Sequence, residues 1–148
     1  MKVRDVIAAK GSQVETVPPD LALIKVLRLL DERNIAAAVV VDKRRHPLGA
    51  IFDRLLIRLL ARRGGDALKL TASEVMVTPV PSCTPDTTVQ QAMRLMTDQR
   101  VRHLVVMADE DGIAGIISIG DLVKSRLSDA DLEARVLREM ALSKLAAE

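Results

Sequence analysis

The chain has no tryptophan and no tyrosine, and Phe52 is its single aromatic residue. Recognition of bases by stacking on protein rings is thereby excluded, and the core has to be almost purely aliphatic. One cysteine, Cys83, excludes an intramolecular disulfide. The two histidines, His46 and His103, lie too far apart in sequence for a metal-ligand spacing. Also missing are a nucleophile with an adjacent base and orienting group, a closely spaced carboxylate pair and a glycine-rich phosphate loop, so neither catalysis nor a catalytic cofactor is expected. Charge of one sign is not in excess: 22 basic against 20 acidic residues leave +2, with the signs interspersed, which is no nucleic-acid signature by itself. No stretch approaches the roughly 20 apolar residues of a membrane span, and no apolar run follows Lys2 and Arg4 as a secretory leader requires. The expectation is a soluble cytoplasmic protein without a membrane partner.

What the chain does have is aliphatic bulk, with 49% of its 148 residues hydrophobic. That length favours about one domain, or two small lobes sharing a core. Val3 to Ile7 reads as a short leading helix, and Gln13 to Val17 as a short strand stopped by Pro18 and Pro19. Asp20 is placed to cap a helix carrying Leu23, Val26, Leu27 and Leu30 to about Arg33. Ala36 to Val41 is a continuous small and β-branched run, the pattern of a strand covered on both faces. Leu48 to Phe52 follows as a strand and Arg54 to Arg62 as a helix, ended by Gly64 and Gly65.

From Ala72 the same order recurs. A shift of 66 residues lays Pro19 on Pro85, Asp20 on Asp86, Val39 on Val105, Gly49 on Gly115, Ile51 on Ile117 and Leu56 on Leu122. The leading segments, Asp5-Val6-Ile7 and Glu74-Val75-Met76, match at a shift of 69, so the first copy has three more residues before its first strand. The predicted fold is α+β: two strand-helix-strand-strand-helix repeats, each too small to bury its sheet alone, packed as a pseudo-twofold pair. The divisions expected are residues 1–65, 72–127 and a C-terminal helix over 128–148. In that tail Ser128 is placed as a cap, and Leu132, Val136, Leu137, Met140 and Leu145 form an apolar stripe. Such a helix docks on its own domain or contributes to a dimer.

Gly115 to Leu122 ends a strand in Ser118 and begins a helix with Asp121 in its first turn. A hydroxyl and a carboxylate on one rim can hold a vicinal diol such as a ribose. The same Ser-x-x-Asp spacing is also a capping box that satisfies only backbone amides. The first repeat has Phe52 and Leu55 at these positions, and Ala36 and Ala37 where the second has Arg102 and His103. Arg54, Arg58 and Arg62 make a basic helix face, with Arg63, Arg44 and Arg45 nearby; a solvated face is its ordinary meaning, and an anion or RNA site the weaker alternative.

Val75-Met76 with Thr78-Pro79, then Thr84 to Val89, Arg102-His103-Leu104-Val105-Val106 and Gly115 to Leu122 together resemble a tandem pair of cystathionine-β-synthase-type (CBS) domains, a Bateman module, of the stand-alone bacterial type. The likeness covers about residues 1–127. It implies a non-catalytic regulatory module that binds an adenosine-containing ligand (AMP, ADP, ATP, NAD(H) or S-adenosylmethionine) between the repeats, AMP being the first choice. It further implies ribose contacts from Ser118 and Asp121, and adenine contacts from Val80, Pro81 and Ser82 with Ile117 lining the pocket. Phosphate contacts would come from Arg102 and His103. With the motif missing at Phe52 and Leu55, one working site per chain is expected, the second cleft being empty or apolar and structural. The resemblance also implies a head-to-head homodimer, with Ile57–Leu60 and Val123–Leu127 as contact segments, and a downstream protein it does not name. The alternative is a structural or dimerisation module without a ligand, or a nucleic-acid-binding protein using the Arg54–Arg63 helix.

Overall fold

The computed structural model describes residues 1–109 and 112–147. In chain order its elements are α1 (Val3–Lys10), β1 (Thr16–Val17), α2 (Leu23–Arg33), β2 (Ala37–Val41), β3 (Pro47–Phe52) and α3 (Asp53–Arg63). A 3-10 turn over Gly64–Lys69 leads to α4 (Ala72–Val75), β4 (Ser82–Cys83), α5 (Val89–Gln99), β5 (His103–Ala108), β6 (Gly112–Ser118) and α6 (Ile119–Ala147).

Two three-stranded sheets, β1-β2-β3 and β4-β5-β6, have the same plan, with a parallel outer pair and an antiparallel hairpin. Thr16 opposes Val39 and Ser82 opposes Val105, so the repeat seen in sequence is a repeat of register. One face of each sheet meets helices and the other meets the second sheet. Val39, Val41 and Val105 pack together with Val80 and Ile116 between the sheets, and Ala37, Ala50 and Phe52 continue that layer with Val101. Every residue of β2 is buried, which is why its run is continuously apolar rather than alternating.

The leading helices are exchanged. Val3 and Val6 of α1 enter the core of the second repeat beside Cys83, Val89, Leu104 and Leu122. Ala72 and Val75 of α4 enter that of the first beside Val17, Leu23 and Leu56. Backbone bonds fix the exchange: the Val3 amide donates to the Thr87 carbonyl and the Ala72 amide to the Leu21 carbonyl, each at 2.8 Å.

Where α1 and α4 cross the sheets, a glycine faces them. A Cβ on Gly49 would lie 2.5 Å from the Met76 Sδ and 2.8 Å from the Val77 carbonyl oxygen, whereas one on Gly115 would meet only the Ile7 side chain, at 2.6 Å. A methionine or isoleucine tip can turn aside; the Val77 backbone is held by a reciprocal pair of bonds to Ala50, at 3.0 and 2.8 Å. Gly49→Ala is therefore expected to cost about 1–3 kcal/mol, the range for overpacking, and Gly115→Ala less, measured by urea unfolding.

Two local expectations are corrected. Asp20 does not cap α2: the helix begins at Leu23, which puts Ala22 at the N-cap without a side-chain bond, and the Leu23 amide donates to the Leu70 carbonyl at 2.8 Å. Ser128 does not start a helix, since α6 runs unbroken for 29 residues from Ile119. Leu132, Val136, Leu137, Met140 and Leu145 are all exposed, so this stretch is not docked on its own domain. At about 100° per residue, Leu132, Val136, Met140 and Leu137 lie within an arc of about 140°, an open apolar stripe from which Leu145 departs.

Candidate ligand cleft

β6 delivers Ser118 to the sheet edge and α6 begins at once, so the helix's free amides lie beside the serine. The Asp121 amide donates to the Ser118 Oγ at 3.1 Å, and the Ser118 amide donates to the Asp121 Oδ2 at 2.8 Å. This reciprocal pair is a capping box. α3 starts at the equivalent place with Phe52 as N-cap and no side-chain cap bond, so the helix start does not itself demand such a pair.

A third partner was not visible in the sequence motif. The Lys10 ammonium donates to the same Asp121 Oδ2 at 2.6 Å and to the Ile116 carbonyl at 2.9 Å. Burial raises the cost of charge on Asp121, but the bonds from Lys10 and from the Ser118 amide outweigh it and hold the carboxyl below its ordinary range. Lys10 gets there because α1 has eight residues and α4 only four. The last turn of α1, absent from its counterpart, carries the ammonium to the start of α6.

Two clefts related by the pseudo-twofold lie between the repeats, and they differ in size. The wide one, about 630 Å³, is lined by Ser118, Ile116 and His103 from the second repeat and by Lys10, Gly11, Gln13, Glu15 and Ala36–Ala37. Its counterpart, about 130 Å³, has Phe52, Val77 and His103 in its walls. Side-chain size sets the difference. Ala37 opposes Phe52 across one hairpin and His103 opposes Ser118 across the other. The two large residues meet at the narrow cleft, where the Phe52 and His103 rings stack with centroids 5.4 Å apart. The two small ones, Ala37 and Ser118, are left to the wide cleft. In addition the Ala50–Val77 backbone bridge pulls the β4 linker across the narrow cleft, while the Ile116 carbonyl, the counterpart of Ala50, is met by the Lys10 side chain.

The residues singled out from the sequence do not all converge. Ser118 lines the wide cleft, and Asp121 stands behind Lys10, lining a hollow of about 220 Å³ with Met1, Asp5 and Val6. His103 borders both clefts; burial lowers its pKa, so near neutral pH it is an uncharged hydrogen-bonding group. Arg102 belongs to the narrow cleft. Ile117 does not line a cleft: strand alternation turns it into the helix-covered core, fully buried, and it is Ile116 that faces the other sheet. Val80 packs in the inter-sheet layer, Pro81 is buried and Ser82 is exposed, and none of the three lines the wide cleft. Lys10, Gln13 and Glu15 are the cleft residues missed. The signal for them was the three-residue excess before the first strand.

The doubled sheet, the exchanged leading helices and the paired clefts find their match in a family model described as CBS domain, which fits residues 3–62 and again 72–128. This chain belongs to the CBS-domain family. Among proteins similar to this CBS pair, MK0525 of Methanopyrus kandleri is 28% identical over 82% of the chain and CBSX3 of Arabidopsis thaliana 29% over 83%. The chain spans 58% and 63% of the lengths of those two relatives. The crystal structure of ATU1752 from Agrobacterium tumefaciens, a CBS-domain protein, is 37% identical and superposes with a TM-score of 0.80, covering 84% of this chain and 92% of that one. Two more distant CBS structures share the fold at TM-scores of 0.71 and 0.74. They are PAE2072 of Pyrobaculum aerophilum, 20% identical and complexed with AMP, and the pair of MJ0100, 21% identical and complexed with 5-methylthioadenosine and S-adenosylmethionine. They cover 82% and 88% of this chain, which covers 89% and 98% of theirs. Among the described residues no helix is long and apolar enough to cross a membrane, and no group of three or more candidate metal ligands occurs.

Proposed function

We propose that this CBS pair is a non-catalytic regulatory module that binds one adenosine-containing ligand per chain, AMP foremost, in the wide cleft. The observation that carries the reading is the asymmetry of the clefts: about 630 Å³, within the range of small-molecule sites, against about 130 Å³. AMP and S-adenosylmethionine in related pairs support the ligand class. Ser118 and Asp121 hold the ribose hydroxyls, the serine by donating its hydroxyl proton and the aspartate by accepting. The backbone of residues 11–15 stands to Ser118 as the Val77–Pro81 linker stands to Phe52, and takes the adenine in place of Val80, Pro81 and Ser82. Lys10 must leave Asp121 to admit the diol, and its ammonium is then free for a phosphate. Exposed Ile57 on α3 and Val123 and Leu127 on α6 lie on corresponding helices and supply the face for a homodimer. The ligand regulates by favouring one placement of the two repeats over another.

Calorimetry with AMP, ADP, ATP, NADH, S-adenosylmethionine and adenosine tests this. One compound is expected to bind at one per chain, and silence from all of them overturns the reading. Lys10→Met is expected to change the discrimination: adenosine gains, because Asp121 keeps only the Ser118 amide and the Ile116 carbonyl loses its ammonium partner, and AMP loses its cation. The preference for AMP over adenosine should fall roughly tenfold, the scale of one charge-assisted contact.

A further inference from the structure

The narrow cleft is poor in ribose-binding groups but rich in positive charge. Arg54 and Arg58 reach it from α3, and Arg100 and Arg102 from the turn before β5. The same four arginines line an open hollow of about 590 Å³ beside it. Asp53 is the one acid in either lining, and among the described residues none of the four is ion-paired with a carboxylate. Four guanidinium groups brought together from two repeats against the single Asp53 carboxylate leave an excess of positive charge, and an anion relieves their repulsion.

The backbone supplies a separate observation. Arg100 ends α5 in the left-handed conformation, φ 56° and ψ 40°. Its counterpart at the end of α2 is Asn34, at φ 52° and ψ 48°. Both amides close the same cap, Arg100 onto Met96 and Thr97, Asn34 onto Leu30 and Asp31. The fold thus requires this conformation in both repeats, and asparagine is among the residues that adopt it readily. The second repeat instead has an arginine there, retaining a less favoured backbone and gaining a guanidinium at the cleft mouth. Strain of this kind collects at binding sites.

We propose that Arg54, Arg58, Arg100 and Arg102 form a binding site for an oligophosphate chain, taken without a nucleoside. The inner cleft holds a phosphate group but not a base and sugar, and Phe52 and Leu55 give a ribose nothing to bond. Arginine forks engage phosphate oxygens two at a time, and the outer hollow leaves room for a chain of phosphates to continue. His103 at the inner end can donate a ring N–H to the terminal phosphate.

The test uses the full chain with sodium triphosphate, pyrophosphate, ATP, sulfate and ionic-strength-matched sodium chloride, followed by thermal shift and calorimetry on wild type, Arg100→Asn, Arg58→Gln and Asp121→Asn. Triphosphate is expected to stabilise wild type by several degrees and to bind at least tenfold more tightly than sulfate. Arg100→Asn should melt above wild type without anion, because asparagine suits the left-handed backbone, and should bind triphosphate at least tenfold more weakly. Arg58→Gln should weaken triphosphate similarly, and Asp121→Asn should leave it unchanged, which separates this site from the adenosyl cleft. The proposal is overturned by triphosphate acting no better than matched salt, by Arg100→Asn and Arg58→Gln binding as wild type does, or by ATP binding there while triphosphate is silent. Binding of a single-stranded RNA oligomer without triphosphate binding also overturns it and makes the arginine face a nucleic-acid surface.

Discussion

Asp121→Asn is expected to keep the fold and lose the ligand. The asparagine carbonyl can still accept the Ser118 amide, a bond of 2.8 Å in the present geometry, so the start of α6 remains capped. What disappears is the charge. A hydrogen bond to a charged partner contributes about 1.5–3 kcal/mol, so replacing the carboxylate under a ribose weakens AMP binding by roughly 10- to 100-fold. Asp121→Ala also removes the acceptor of the Ser118 amide, while the Ser118 Oγ still accepts the backbone amide of residue 121, and should cost a further 0.5–1.5 kcal/mol or so of stability in urea unfolding. If capping were the whole purpose of the motif, the asparagine variant would resemble wild type in both measurements. The two substitutions together separate the readings that the sequence left open.

Acid titration supports the same distinction. The Asp121 carboxyl titrates lower in the folded chain than in the unfolded one, so its contribution to stability is complete above the unfolded value of about 3.9 and is lost as the pH falls through the lower folded value. Below about pH 4 wild type should lose stability more steeply than Asp121→Asn, as measured by thermal melts across that window. Lys10 is central here, because its ammonium contacts the carboxylate at 2.6 Å.

The features legible in the sequence were those carried by spacing. A constant shift of 66 positions gave both hairpins and the helices around them, because Val39 and Val105, or Gly49 and Gly115, occupy equal places in equal sheets. The exchange of α1 and α4 was not legible. Val3 and Val6 present the same small apolar face as Ala72 and Val75, and either pair suits either core; backbone bonds from Val3 to Thr87 and from Ala72 to Leu21 decide. The assignment of Arg102 failed as a cleft neighbour of Ser118 for a related reason. Across the pseudo-twofold the end of one hairpin faces the start of the other, so His103 stacks on Phe52 and Arg102 accompanies it, while Ser118 shares its cleft with Ala36 and Ala37. Contacts within a repeat follow from periodicity; contacts between repeats depend on the packing of two sheets that no local pattern encodes.

That distinction bears on whether the missing site can be restored. Phe52→Ser with Leu55→Asp would write the Ser-x-x-Asp spacing into the first repeat, yet the double variant is expected to gain no second adenosyl site. Phe52 is 7% exposed and packs with Ala37 and Ala50 between the sheets, so truncating it should cost about 3–5 kcal/mol in urea unfolding. The space released is hemmed in by two features outside the motif: the His103 ring and the Ala50–Val77 bridge that draws the linker across the cleft. Neither has a counterpart of the same kind at Ser118, where Ala37 is small and the Lys10 side chain meets Ile116. Calorimetry should therefore still give one AMP per chain, bound with nearly the wild-type constant at the far cleft. A second equivalent of AMP would show that two polar groups suffice to make a site and that wall size and linker path are secondary. A single equivalent, reaching two only when His103→Ala is added, would locate the specificity of the pair in the volume that its hairpins leave open.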